Sequence, residues 1–279
     1  MSNTRHADRY TDRYAWREWR FWLLALPGIL LGLVLVIPLL VLIGRGLTQE
    51  VAAYWANPTF LAAVRLSMLT STLSTAIAFL TGTPLAYVLG TVNFRGKMWV
   101  ELALDVPLVL PPLIAGIALL LAFGHNGVLG RPLEALGIRL PFTLAAVVLA
   151  QTFIAAPLYL RTARLGFAAV PHELREEAVV EGANEWQLFR RVMLPLAWRA
   201  LLGGLILCWT RALGEFGATI VFAGNLQGRT QTIPLAIFVG FESNLNVALQ
   251  LSVFLILLSV LVLLVLRWLD HVFAGSNIA

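Results

Sequence analysis

Two opposite charges lie four residues apart inside an apolar stretch, TRALGEFGATIVFAGN, that runs from Thr210 to Asn225. They are Arg211 and Glu215, and each charge costs about 2.5–3.5 kcal/mol at the centre of a bilayer on insertion scales. On one continuous helix, residues four apart are neighbours, so the two side chains would pair and reduce that cost. Two roles for such a pair remain open. In the first, the pair fixes its helix against a neighbouring helix. In the second, Arg211 lines a path through the membrane and attracts an anion.

The elements that must hold these charges are membrane helices. The chain has 279 residues, of which 59% are hydrophobic and 13% are charged. A soluble globular domain is nearer half apolar and about a quarter charged. The composition therefore indicates a polytopic membrane protein and leaves almost no chain for a separate soluble domain.

Six apolar runs are long enough to cross a hydrocarbon core about 30 Å thick. They predict an all-α protein with six transmembrane helices near residues 21–43, 65–89, 100–123, 142–160, 200–224 and 247–267. The third run is the weakest, because it is interrupted by Asp105, Pro107, Pro111 and Pro112. Prolines are tolerated in a membrane helix where neighbouring helices or water satisfy the backbone.

The distribution of Lys and Arg predicts the orientation, since cytoplasmic loops carry an excess of both. With the N-terminus inside, most of the 20 Lys and Arg residues fall on the cytoplasmic side. Residues 1–20 are then a basic cytoplasmic tail, residues 21–279 form the transmembrane domain, and both termini are cytoplasmic. The one large cytoplasmic segment is 161–199, which we expect to contact a partner protein.

Part of that segment, PHELREEAVVEGANEWQLFRRVMLP (171–195), has the pattern of two short helices joined at a glycine. Pro171 suits a helix start, Gly182 breaks the run, and Asn184 is the expected cap of the second helix. We expect Pro195 to end that helix. Four of its residues recur at helical spacing and predict one face with aromatic side chains available to a partner: Trp186, Phe189, Arg190 and Met193.

The same segment resembles the EAA loop of ATP-binding-cassette importer permeases. That family pattern is Glu-Ala-Ala, three residues, Gly, nine residues, Ile, one residue and Leu-Pro. The matching positions are Glu176, Glu177, Ala178, Gly182, Val192, Leu194 and Pro195. Glu177 stands in place of an alanine and Val192 in place of an isoleucine. The resemblance implies that this loop docks on a separate ATPase subunit and transmits its closure, with Trp186 and Phe189 as further coupling side chains.

The chain lacks a motif for binding ATP itself. A phosphate-binding loop needs Gly, four residues and then Gly-Lys-Ser/Thr. Lys97, the single lysine, follows Gly96, but Gly90 is one residue too far away and Met98 replaces the hydroxyl. We expect no catalytic residue and no cofactor in this chain, with ATP and Mg²⁺ on the partner ATPase. Cys208 is the single cysteine and the four histidines lack metal-ligand spacing, so no metal site is predicted.

Two regions resemble oxyanion permeases. The stretch RALGEFGATIVFAGN (211–225), followed by TQTIPLAIF (230–238), looks like molybdate and tungstate permeases, and DVPLVLPPLIAG (105–116) resembles the third span of the same oxyanion group. The resemblance implies a type I importer in the cell membrane that moves molybdate or tungstate inward. Its implied partners are a second permease copy in a homodimer, two cytoplasmic ABC ATPase subunits, an extracytoplasmic oxyanion-binding protein and the lipid bilayer, without nucleic acid. The alternative is a sulfate or thiosulfate permease subunit, which forms heterodimers.

Two other classes of function predict different features. A membrane enzyme or receptor would cluster catalytic or metal-binding residues in the spans. Well inside them we find only Asp105, Arg211 and Glu215, with Glu101 near a boundary. A secondary transporter would move its substrate without an ATPase, and the EAA-like loop favours neither class.

Overall fold

The computed structural model describes residues 5–47 and 58–275, with side chains placed at 25–47, 58–265, 267 and 268. The chain divides into two compact units, residues 1–51 and 52–279. The described part of the first unit is helix α1 (Arg5–Leu47), and the side chains of the predicted basic tail lie outside the described residues. The described elements of both units are all helices, as the sequence predicts.

Among the described residues, five helices are long and apolar enough to cross a membrane, and they confirm most of the predicted spans. They are α1 with its apolar part Ala25–Leu47, α2 (Pro58–Thr91), α6 (Leu144–Ala168), the helical run Glu185–Leu213, and α12 (Leu245–Gly275).

The predicted third span is broken where the sequence is weakest. Helices α3 (Lys97–Val109) and α4 (Pro112–Phe123) are bent by 116°. Leu110 has an extended backbone, because a residue before proline avoids the helical region. Pro112 begins α4, where its missing N–H leaves no hydrogen bond unmade. Counted as one broken span, the pair brings the number of spans to six.

The predicted fifth span, 200–224, differs from the structure at both ends. Its elements are α8 (Glu185–Gln187), a π-helical turn (Leu188–Met193), α9 (Leu194–Leu213) and α10 (Gly217–Phe222). The residues between α9 and α10 are not helical. The expectation of one helix through Arg211 and Glu215 is therefore wrong. Glycines on both sides of Glu215 lower helix propensity and allow the chain to turn.

Three shorter helices complete the described elements: α5 (Gly130–Ala135), α7 (His172–Val180) and α11 (Ile233–Ser243). The start of α11 is fixed by α2, because the N–H of Ile233 donates to Ser67 Oγ at 2.7 Å. This N–H has no partner within its own helix.

Helices α2, α6 and α9 form the centre of the second unit. Tyr159 of α6 is fully buried. Its ring lies against Gly82 of α2 and Gly204 of α9, where an added Cβ would approach the ring to 3.1 and 3.2 Å. Its hydroxyl shares a hydrogen bond with Thr83 Oγ1. Small residues let membrane helices approach closely, so these three helices form a packed frame for the regions described below.

Candidate functional site

The two charges inside the apolar stretch form an ion pair. Arg211 Nη1 lies 2.7 Å from Glu215 Oε2. The Glu215 side chain is 1% exposed and the Arg211 side chain 33% exposed. They do not share a helix face, because α9 ends at Leu213 and Glu215 lies beyond it. The chain turns instead, with the N–H of Glu215 donating to the Ala212 carbonyl at 3.1 Å.

Each charge lies at a helix end that favours its sign. Arg211 is in the last turn of α9, where unpaired carbonyls carry partial negative charge. Glu215 precedes α10, and its Oε1 accepts a hydrogen bond from the N–H of Ala218 at 2.8 Å. That N–H has no partner inside the helix. The break in the span thus supplies partners for both charges, which explains their presence in an apolar stretch.

The breaks of the third and fifth spans touch one another. Helix α4 packs on α10, and a Cβ on Gly217 would lie 2.8 Å from Pro112 Cβ. A Cβ on Gly116 would lie 2.9 Å from the Ala218 carbonyl oxygen. These distances leave no room for a larger residue without movement of backbone. The two regions that resemble oxyanion permeases therefore meet at this junction.

The predicted helix–glycine–helix hairpin is formed by α7 and α8. Gly182 has a φ of +88°, a left-handed conformation that favours glycine. The N–H of Ala183 donates to the Ala178 carbonyl at 2.9 Å, and the N–H of Gly182 donates to the Val179 carbonyl at 3.0 Å. These two bonds are a Schellman motif. The expected separation of the two helices at Gly182 is confirmed.

Asn184 caps the second helix, as predicted. The N–H of Gln187 donates to Asn184 Oδ1 at 2.9 Å, and the N–H of Asn184 donates to Gln187 Oε1 at 3.0 Å, forming a capping box. The expectation that Pro195 ends the helix is wrong, because Pro195 lies in the first turn of α9. The preceding π-helical turn has a wider spacing of backbone bonds. That spacing accommodates the ring and missing N–H that would disrupt an ordinary α-helix.

The predicted coupling residues divide into two sets. Those that pack against the core of the second unit are Ala178, Phe189, Val192 and Leu194. Those with exposed side chains are Glu176, Glu177, Trp186 and Pro195. Gly182 lies at the bend between the two helices.

The aromatic face predicted for the second helix is present but is only partly available to a partner. The Trp186 ring lies 5.7 Å from the Phe189 ring, and Phe189 and Met193 pack on the same core. The Phe189 ring lies 5.0 Å from that of Tyr87 and 6.2 Å from that of Phe167, and Met193 is fully buried. Trp186 remains exposed. The predicted spacing therefore holds, but the core of the second unit covers Phe189 and Met193, and Trp186 is the member of the aromatic pair that stays exposed.

Comparison with known proteins identifies the family. Residues 82–274 match the family described as "Binding-protein-dependent transport system inner membrane component". The chain belongs to this family. It is therefore a multi-pass inner-membrane permease subunit and not an enzyme, and the resemblance to importer permeases is confirmed.

Curated relatives of the permease include proteins named for the transport of different substrates. The probable transport system permease protein NifC of Clostridium pasteurianum is 41% identical over 205 residues, which cover 72% of this chain and 71% of the relative. The molybdenum transport system permease protein ModB of Mycobacterium tuberculosis is 39% identical over 214 residues, or 76% and 81% of the two chains. A probable sulfate transport system permease protein of Chlorokybus atmophyticus is 30% identical over 226 residues, or 80% and 79%.

Solved structures share the fold of the permease. A crystal structure of a bacterial ABC transporter involved in the import of the acidic polysaccharide alginate has a chain that matches with a TM-score of 0.71. The match covers 94% of this chain and 98% of that chain at 17% identity. This likeness shows the fold alone, and it confirms the expected importer-permease architecture.

Sequence reasoning missed two contacts of the permease near the hairpin. Arg175 Nη2 donates to the carbonyls of Phe167 and Val170 at 2.8 and 3.2 Å. Arg164 Nη1 lies 2.8 Å from Glu101 Oε2. The Arg175 contact could have been predicted from the nearby sequence, since a basic side chain near a helix end can bond the last carbonyls of that helix. The Glu101–Arg164 pair joins residues far apart in the chain, for which one sequence offers no signal.

Two histidines of the permease, His125 and His172, have carboxylate partners. His125 Nδ1 lies 2.6 Å from Glu134 Oε2, and His172 Nδ1 lies 3.2 Å from Glu176 Oε1. Both histidines are exposed. Among the residues that the structure describes, no group of three His, Cys, Asp or Glu side chains is placed to hold a metal ion.

Proposed function

We propose that this chain is the membrane-spanning subunit of an importer that moves molybdate, or tungstate, into the cytoplasm with energy from a separate ATPase. The observation that carries the proposal is the 39% identity to a molybdenum transport permease over 76% of this chain. The sulfate-transport relative is 30% identical. The resemblance of the span-five stretch to molybdate permeases also favours molybdate over sulfate.

The proposed transporter contains two copies of this chain, two ABC ATPase subunits and an extracytoplasmic binding protein that delivers the anion. The family description itself names dependence on a binding protein. Both termini and the hairpin lie on the cytoplasmic side in this proposal, following the Lys and Arg distribution. In this proposal the anion path lies between two permease copies, because one set of six spans does not form it alone.

The hairpin is the proposed contact with the ATPase. It presents exposed apolar side chains, Val180 at 87% and Trp186 at 65% exposure, beside the exposed carboxylates of Glu176 and Glu177. Exposed apolar surface of this kind is typical of protein interfaces. The Schellman motif and the capping box hold the hairpin in one shape. A movement that the ATPase imposes on the hairpin is therefore transmitted to the membrane helices.

The other predicted coupling residues shape and anchor this hairpin. They are Ala178, Gly182, Phe189, Leu194 and Pro195. In this proposal Ala178, Phe189 and Leu194 anchor the hairpin because they pack on the chain's own core, while Gly182 and Pro195 set the bend and the start of the next helix.

Arg211 is proposed to face the anion path. Its side chain remains partly exposed while Glu215 is buried. A conduit needs enough positive potential for a dianion to enter and too little to trap it. An arginine whose charge is partly balanced by Glu215 meets both conditions. Selectivity among oxyanions then depends mainly on the binding protein.

Uptake into proteoliposomes tests the proposed function. The permease, its ATPase and its loaded binding protein are reconstituted, and entry of molybdate, tungstate and sulfate is compared with and without ATP. We expect ATP-dependent entry of molybdate and tungstate and exclusion of sulfate. Entry of sulfate, with a second and different permease in the complex, would make this a sulfate permease subunit. Entry without ATP would refute the coupling to an ATPase.

A further inference from the structure

Helix α3 has limited apolar support. None of its 13 side chains is buried, although Leu104 packs, partly buried, against the core to which α6 contributes, and the helix packs chiefly against α6. A bend of 116° separates it from α4 at one end, and Gly96 with a φ of +88° precedes it at the other. Since apolar burial contributes little to holding α3 in place, its specific polar contacts matter more.

An ion pair joins α3 to α6. Glu101 Oε2 lies 2.8 Å from Arg164 Nη1, and the two side chains are only 26% and 20% exposed. Partly buried pairs are screened by salt much less than exposed pairs. Arg164 lies near the C-terminal end of α6, so the pair fixes α3 to the end of α6 that leads into the hairpin.

The hairpin holds the same end of α6. Arg175 of α7 donates to the Phe167 and Val170 carbonyls at 2.8 and 3.2 Å. Carbonyls at a helix C-terminus lack helical partners, and a cation there is favoured by the helix dipole. The Phe189 ring adds an apolar contact with the Phe167 ring. Arg164 and Phe167 are one turn apart, so the contacts from α3 and from the hairpin act on the same turn of α6.

We propose that these two contacts form a latch that makes the hairpin, the end of α6 and α3 move as one body. The latch consists of Arg175 on the α6 carbonyls and Arg164 on Glu101. The inference rests on the proposed coupling of the hairpin to an ATPase. Glu101, Arg164 and Arg175 are positioning residues, which carry a hairpin movement to the broken third span. The far half of that span, α4, packs on α10, which follows Glu215.

Spin-label distances in the full complex test the latch. Cys208, the single cysteine, is buried, so labels are placed on Met98→Cys in α3 and Arg190→Cys in the hairpin, both exposed positions. The complex is assembled with excess unlabelled chain, so that one copy carries both labels. With the latch intact, we expect the distance between these labels to be the same with and without ATP.

Breaking the pair should uncouple the two labels. In Glu101→Gln and in Arg164→Gln, we expect the distance to change on ATP addition. We also expect molybdate uptake per ATP hydrolysed to fall by about fivefold or more, the lower end of ordinary coupling between sites.

Two further variants separate the latch from a general loss of structure. The charge swap, Glu101→Arg with Arg164→Glu, rebuilds the pair in reverse and should restore both the fixed distance and the uptake ratio. Glu134→Gln removes a carboxylate of comparable exposure, 22%, that lies outside the latch, and should change neither.

The latch is refuted if Glu101→Gln keeps the native distance and uptake ratio, or if the folded swap variant behaves like the single variants. A native complex that hydrolyses ATP but imports none of the three anions refutes the proposed substrate instead. In that case the distances between the spin labels still test whether the latch exists.

Discussion

The third and fifth spans are both broken, but by different means. The third breaks before two consecutive prolines, Pro111 and Pro112, which cannot continue a helix from the preceding turn. The fifth has no proline at its break. There, buried Glu215 bonds to the start of α10 and pairs with Arg211. One break is set by the covalent structure of proline, and the other by glycines and by the contacts of one buried carboxylate with residues three and four positions away.

Because the two breaks have different causes, they should respond differently to substitution. Removing a charge at the fifth-span break leaves a buried group without its partner, which is expensive in an apolar environment. Removing a proline at the third-span break leaves no charge unpaired. Substitutions should therefore affect stability mainly in the fifth span and local geometry mainly in the third.

The largest effect is expected from Glu215→Ala. It leaves Arg211 without its partner and the N–H of Ala218 without its acceptor. Breaking a fully buried ion pair costs about 3–5 kcal/mol, and because Arg211 stays partly exposed we expect a loss near the lower end of that range. The measurement is thermal unfolding of the detergent-solubilised permease.

Glu215→Gln is the matched variant, because an amide oxygen can still accept from Ala218 while the charge is lost. We expect a loss of stability between those of the native chain and Glu215→Ala. If Glu215→Ala is as stable as the native chain, the fifth-span break does not depend on this carboxylate.

An intermediate effect is expected from Gly217→Ala, which places a Cβ 2.8 Å from Pro112 Cβ and 3.1 Å from the Leu113 nitrogen. Because backbone atoms are among these neighbours, the contact between the two breaks must shift, at about 1–3 kcal/mol for overpacking. Gly203→Ala in α9 is the control, since an added Cβ there meets nothing within 4 Å. Its helix propensity should make it neutral or stabilising by up to ~1 kcal/mol. Equal destabilisation by both variants would contradict the tight contact at Gly217.

The smallest effect on stability is expected from replacing Pro111 and Pro112 with alanine together. Spin labels at the exposed positions Met98 and Leu121 report the angle between α3 and α4. A straight helix would separate them by about 35 Å, and the native bend makes the distance shorter. We expect the double variant to lengthen or broaden this distance. An unchanged distance would mean that packing on α10, and not the prolines, sets the bend.

Much of the fold could be predicted because hydropathy reports which segments lie in lipid. The spans near 65–89 and 142–160 are present as α2 and α6. Gly182 and Asn184 were predictable for a different reason, since helix ends are set by residues within a few positions of one another. The breaking point of the third span was likewise visible in its prolines.

The features that sequence did not reveal depend on long-range packing or unusual helix geometry. Hydropathy does not register the break after Leu213, because apolar residues continue beyond it. The π-helical turn before Pro195 made the predicted helix end wrong. Phe189 packs on Tyr87 and Phe167 only because α2 and α6 bring those rings together.

The neutral double variant Arg211→Gln with Glu215→Gln tests most directly whether the charges at the fifth-span break serve transport. It removes both charges without leaving either unpaired, so a purely structural role would be largely preserved. ATP-dependent molybdate uptake is measured in proteoliposomes, together with complex assembly and ATP hydrolysis. We predict an assembled complex that hydrolyses ATP but takes up molybdate about tenfold more slowly, a loss equivalent to ~1.4 kcal/mol. Uptake at the native rate would contradict a role for Arg211 in the anion path and leave the pair a structural one.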